Sequence, residues 1–193
     1  DEIYEHINYV GKHESIAQFQ EIRERVIVVN GVSKGYAMTG WRIGWIAAPK
    51  WIASACGLLQ GQYTSGASSI SQKAAEAAYT GSQDCVEEMR VAFERRKNLI
   101  TKLLREIPGL KVNDPEGAFY IFVECGSYLG KGRIETATDL AMYLLEQGHV
   151  ACVGGDAFGA PGHIRFSYAT SDENIEKAIS RVKGALEKLR TSH

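Results

Sequence analysis

The chain has 193 residues, 45% of them apolar and 23% charged, the balance of a globular protein long enough to bury a core as one domain or two small ones. With 22 Lys+Arg against 23 Asp+Glu the net charge is −1, which leaves no basic footprint for nucleic acid and no polybasic patch for a membrane surface. No stretch is apolar for the length of a membrane helix, and the acidic start DEIYEHINYV does not read as a signal peptide.

In chain order, Asp1-Glu2-Ile3-Tyr4 begins without a cap or a strand, which suggests a piece of a longer protein. Residues 25–33, RVIVVNGVS, carry a β-branched run ending at Asn30-Gly31 and predict a buried strand entering a turn. Residues 42–48, RIGWIAA, predict a second strand stopped by Pro49. Helices are expected over 51–60 and over the Ala-rich 68–79. The strongest helix spans 84–107, where Val86, Met89, Phe93, Ile100, Leu103, Leu104 and Ile107 fall on one face. Ser82 or Asp84 caps it, and Pro108-Gly109 ends it.

Past Pro108-Gly109 the pattern changes. Strands at 110–113 and 118–124 flank a turn at 113–117, and a helix runs from Thr138 to Gln147 until Gly148 stops it. Strands near 149–153 and 163–169 follow. A last helix opens at Ser171-Asp172-Glu173 and carries an apolar stripe through Ile175, Ala178, Ile179, Val182, Leu186 and Leu189. The change of pattern places a boundary near residue 109, between an α/β part (1–108) and a small α+β unit (109–193).

Cys56, Cys85, Cys125 and Cys152 are widely spaced, and the five histidines form no metal-binding pattern. Neither a zinc site nor a disulfide framework is expected; free buried thiols in a reducing cytoplasm are.

The informative segment is Gly31-Val32-Ser33-Lys34-Gly35-Tyr36-Ala37-Met38-Thr39-Gly40-Trp41-Arg42-Ile43-Gly44. Ser33 and Lys34 stand just past a strand, where α/β folds commonly bind ligands. A lysine amine beside a hydroxyl and a guanidinium can form an imine and hold a phosphate. Spacing alone also fits a solvated loop with one Lys and one Arg. Gly31, Ser33 and Gly35 further spell the G-x-S-x-G nucleophile elbow, with Asp156 and His163 following in order. That elbow needs a helix after the turn, whereas RIGWIAA reads as a strand. Residues 126–131, GSYLGK, fall one residue short of a phosphate-binding P-loop. In HIRFSYA, Ile164, Phe166 and Tyr168 point one way, and Arg165 and Ser167 the other. Arg165 follows the Gly-rich GGDAFGAPG, whose turns can border a cleft, and its fork suits a carboxylate.

Taken together, GVSKGYAMTGWRIG resembles the pyridoxal-phosphate lysine signature of the class I and II aminotransferases. DEIY resembles the Asp-x-x-Tyr that precedes that lysine in the family. PEGAFYIF and HIRFSYATSDENIEKAI resemble its C-terminal domain, and the whole is most like the bacterial aspartate enzymes. The resemblance implies a fold-type I α/β transferase, with the later part of the large domain in 1–108 and the small domain in 109–193. It implies that Lys34 is catalytic and carries the pyridoxal 5'-phosphate, that Asp1 pairs with the pyridine nitrogen, and that Tyr4 bonds the 3-oxygen. Ser33 and Arg42 would hold the phosphate. Arg165 would grip the substrate α-carboxylate, with Phe119 and Tyr120 near the substrate.

The implied reaction moves an amino group from an amino acid, aspartate by the resemblance, to 2-oxoglutarate in a cytoplasmic homodimer. Departures are the absence of the family's N-terminal half, Gly154 where relatives often carry Pro, and no evident second arginine for a side-chain carboxylate. Gln60 and Tyr63 fall where animal-type enzymes supply one. The chain alone is therefore expected to be inactive. A serine hydrolase built on Ser33, and a non-catalytic interaction module, are the alternatives.

Overall fold

In the computed structural model, which describes residues 1–191, the β-branched run becomes strand β1, Val28–Gly31. It pairs antiparallel with β2, Gly44–Ala47, in the register Val28↔Ala47 to Gly31↔Gly44. The ladder is shorter than the apolar run because Arg42 adopts a left-handed backbone, φ 52 and ψ 52, which cannot join a ladder. Helices α1 (Lys50–Tyr63), α2 (Ser69–Thr80) and α3 (Asp84–Arg105) follow. Ser82 Oγ accepts from Asp84 N at the start of α3, 3.2 Å. No residue of α1 is buried; Trp51 is 72% and Tyr63 83% exposed.

Two compact units are present, Asp1–Arg90 and Val91 onward. The division falls inside α3 rather than at Pro108-Gly109. The later turns of that helix belong with the second unit: Phe93 packs on Phe119 at 5.3 Å, and Arg95 bonds Asp172, the first residue of the last helix.

The second unit is a four-stranded antiparallel sheet in the order β3-β4-β6-β5, formed by Lys111–Val112, Tyr120–Glu124, His163–Ser167 and Val153–Gly154 respectively. Its inner face, Ile121, Val123, Ile164 and Phe166, is buried. Helix α4 (Ala137–Gly148) and helix α5 (Asp172–Thr191) share that core through Leu140, Leu144, Ile175, Ile179, Val182 and Leu186. Helix α4 opens with a capping box between Thr136 and Asp139. Its end differs from expectation. Gly148 stays helical and buried, 3.6 Å from Arg181 O by its would-be Cβ, and His149 takes the left-handed cap at φ 53. Gly148 is thus the last helical residue, and the cap falls one residue later. A left-handed Ala118, φ 57, likewise delays β4 to Tyr120.

All four thiols are free, but Cys56 and Cys85 are exposed, correcting the expectation of buried ones. Burial pushes the Cys125 thiol up to about 11 and the Cys152 thiol up to about 12, which favours the neutral thiol in both. Among the described residues no helix is long and apolar enough to cross a membrane. Ser192 and His193 lie outside the described residues.

Candidate active site

In the first unit, the site is assembled around the closed end of the β1–β2 hairpin. The ladder ends at Gly31↔Gly44, and a Cβ on Gly31 would lie 2.9 Å from Gly44 Cα and Ile43 O. Only glycine permits that approach. Ser33 and Arg42 each stand two residues beyond this pair, on opposite arms, so the hairpin carries a hydroxyl and a guanidinium to the same end. Lys34 follows Ser33, and both are half-buried. Arg42 is exposed, and its Nη1 donates to Thr39 O at 2.9 Å. The loop between carries a second left-handed residue, Ala37, φ 52.

Residues 1–7 are laid along β1. Glu2 N donates to Val29 O at 2.8 Å, and buried Asn30 donates from Nδ2 to Glu5 Oε1 at 2.6 Å while its Oδ1 accepts from Gly31 N at 2.7 Å. The chain therefore holds the Asp1–Tyr4 turn beside the strand that leads into Lys34. The Asp1 carboxylate is exposed and accepts from Ile3 N at 3.1 Å; Tyr4 is half-buried.

Burial pushes the Glu2 carboxyl up, but the Ser15 hydroxyl at 2.7 Å and the His13 ring at 3.3 Å outweigh it and hold Glu2 below the usual range. Glu2, Glu5 and His13 bring ligand atoms within 4.8 Å of one another, though Ser15 and Asn30 already bond the two carboxylates.

Gly35 admits His6, whose Cδ2 would be 2.6 Å from a Cβ there, and His6 meets Tyr36 edge-on at 5.4 Å. Tyr36 donates to Gln83 at 2.8 Å, and Trp45 donates to Tyr79 at 2.8 Å. The sequence presents Asn30 only as the start of a turn and gives no signal for the roles of Glu5 and His6. A groove of about 700 Å³, lined by residues such as Gln20, Val26, Val28, Ile46 and Pro49, includes none of the five site residues of this unit.

In the second unit, Arg165 lies on β6 opposite Phe122 and Val153. Its guanidinium stacks on the Tyr120 ring at 4.3 Å and on the Phe158 ring at 4.4 Å. Phe119 and Tyr120 divide. Phe119 is buried against Phe93, while half-buried Tyr120 faces the arginine. Phe158 was not singled out from sequence, although the G-x-x-F-G turn that holds it was visible.

The hydrolase elbow finds no support. Gly35 is followed by turns, a single 3-10 turn at Thr39–Trp41 and β2, not by the α-helix the elbow needs. The Asp156 carboxylate is engaged by Thr138 N at 3.0 Å and Thr138 Oγ1 at 2.9 Å, and His163 stacks on Phe122 at 5.0 Å.

A primary amine flanked by a hydroxyl and a guanidinium on a glycine-tightened hairpin suits a phosphorylated carbonyl compound. Comparison with known proteins agrees in kind. The model of the family described as aminotransferase class I and II matches residues 1–182. A bifunctional aspartate aminotransferase and glutamate/aspartate-prephenate aminotransferase of Petunia hybrida is 46% identical over 96% of this chain and 41% of its own length. The crystal structure of an aspartate aminotransferase from Rhizobium meliloti superposes with a TM-score of 0.92 at 45% identity, over 97% of this chain and 48% of that one. An aromatic aminotransferase from Pyrococcus horikoshii gives a TM-score of 0.90 at 38% identity, over 98% and 50%. The chain spans about half, or less, of the length of these relatives.

Proposed function

Because this chain belongs to the class I and II aminotransferases and has their fold-type I α/β architecture, we propose that its protein is a pyridoxal 5'-phosphate-dependent aminotransferase. It moves an amino group from an amino acid, aspartate first among candidates, to 2-oxoglutarate. The observation that supports this reading is the hairpin end that carries Ser33, Lys34 and Arg42 together, beside the pinned Asp1–Tyr4 turn.

The donor set fits the cofactor in kind: an amine, a phenol, a carboxylate, and a hydroxyl and guanidinium for a phosphate. When bound, pyridoxal phosphate supplies a carbonyl that condenses with amines and a ring that accepts electrons from the substrate Cα. Lys34 Nζ would hold that carbonyl and, as the free amine, would carry the proton taken from the substrate Cα. Asp1 would keep a proton on the ring nitrogen. Tyr4 would donate to the 3-oxygen. Ser33 and Arg42 would neutralise and orient the phosphate. Arg165 takes the α-carboxylate, and its fork fixes how the Cα–H bond is presented. Tyr120 lines that subsite, and Phe119 supports it from the core.

The protein works as a cytoplasmic homodimer on small amino and oxo acids, and the rest of its length supplies the remainder of the cofactor pocket. The test is to load the full-length protein with pyridoxal phosphate, reduce it with borohydride and map the labelled peptide, then assay aspartate with 2-oxoglutarate. A label on Lys34 and turnover are expected; a label elsewhere, or no turnover with any amino acid, overturns the reading.

A further inference from the structure

Arg165 is held in an unusual way for a residue on an open sheet face. Two aromatic rings lie against its guanidinium, Tyr120 from β4 at 4.3 Å and Phe158 from the Gly155–Phe158 turn at 4.4 Å. Phe158 is itself braced edge-on by Phe122 at 6.1 Å and 85°, and Phe122 stacks on His163 at 5.0 Å and 10°. Among the described residues, no carboxylate pairs with Arg165 and no carbonyl accepts from it. Cation–π stacking uses the faces of a guanidinium and leaves its in-plane N–H donors for a ligand. Two rings at nearly equal distance also restrict the rotamer freedom that a long side chain otherwise loses on binding.

We infer that Phe158 is a positioning residue: together with Tyr120 it clamps the Arg165 guanidinium so that its N–H edge is presented to the carboxylate shared by amino-acid and oxo-acid substrates. This rests on the reading of Arg165 as the carboxylate ligand. Phe158 does not touch the reacting atoms. It is 48% exposed and contributes little to the core, so its side chain is available for this role at small cost to the fold.

The position of Phe158 gives the clamp a second property. Gly155 has no room for a side chain, since a Cβ would lie 2.3 Å from Ala160 O, and Gly159 closes the turn at φ 69. Asp156 in the same turn is tied to Thr138 at the head of α4. The ring is therefore delivered by a tightly determined backbone rather than by a free loop.

The experiment uses the full-length protein loaded with pyridoxal phosphate and compares F158L, F158Y and R165K with wild type. F158L is expected to raise the KM for aspartate and for 2-oxoglutarate together by about three- to tenfold, the scale of one cation–π contact. Its kcat should stay within about twofold and its cofactor affinity should be unchanged, because the groups that act on the reacting atoms are elsewhere. F158Y restores the aromatic face and should restore both KM values. R165K should raise both KM values further. An F158L with normal KM values beside an impaired R165K overturns the clamp and leaves the arginine reading intact. A fully active R165K, or a wild type without transamination, removes the premise and overturns both.

Discussion

Lys34, proposed here as the chemical residue, and Asn30, which acts structurally, share one hairpin. Lys34→Ala is expected to cost about three orders of magnitude or more in turnover, the scale of losing a proton-transfer group, with an unchanged circular dichroism spectrum and melting temperature. Rapid-quench assays of the full-length variant measure it. Asn30→Ala should act the other way round. It leaves every proposed cofactor ligand in place but strips the Glu5 carboxylate and Gly31 N of their buried partner. A loss of about 1–3 kcal/mol in a urea titration is expected, with weaker pyridoxal phosphate binding because the Asp1–Tyr4 turn is no longer pinned. Lys34 is proposed from a short motif in the sequence. Asn30 was not legible there: it reads as the turn half of Asn-Gly, and only the strand's burial shows it to be an internal bracket.

At the scale of elements, the order of helices and strands was legible throughout, and the strand ends were not. Arg42, Ala118 and His149 take left-handed conformations that trim or cap elements where the apolar pattern continues. Nothing in those residue types announces a positive φ, which is usual only for glycine and asparagine. Gly154 shows the reverse. Its φ of −62 would suit most residues, but a Cβ there would lie 2.8 Å from Thr138 N. Gly154→Ala is therefore expected to destabilise by about 1–3 kcal/mol through overpacking of β5 on the head of α4, read from the urea midpoint.

Helix ends also set the acid response. The Arg95 side chain, bonded to Asp172 through Nε at 2.9 Å and Nη2 at 3.3 Å, holds that carboxyl below its usual range, and Thr136 does the same for Asp139. A carboxyl lowered in the folded state stabilises fully above its unfolded value, and that contribution is lost as pH falls through the lowered one. Asp172→Asn should thus be less stable than wild type at neutral pH, and the two urea curves should converge as acid is added.

For the whole molecule, the two units differ in how completely they bury what they carry. The second has a sheet with a covered inner face. The first leaves all four residues of β2 exposed, and Trp51, Leu58, Leu59 and Tyr63 of α1 open to solvent. Exposed apolar faces of this kind drive association. The 193-residue polypeptide by itself is expected to self-associate in light scattering and to show no transamination of aspartate, while the full-length protein is dispersed and active. A monodisperse, active 193-residue polypeptide would show that the hairpin end and Arg165 suffice. That unevenness was hidden from a reading of the sequence, because apolar periodicity records which face wants cover and not whether the same stretch of chain provides it.

Arg42 sits in a backbone conformation that glycine adopts with ease and an arginine adopts at a cost of about 1–2 kcal/mol. Its side chain and its main chain therefore answer to opposite selections. A screen that rewards only thermal tolerance should enrich Arg42→Gly, and Ala37→Gly beside it, since both relieve the turn. A screen in which growth depends on the enzyme's making its product should purge the first and keep the second. The same loop would thus drift apart in two laboratories according to what each chose to reward, and the position at which the libraries disagree marks the guanidinium assigned to the phosphate.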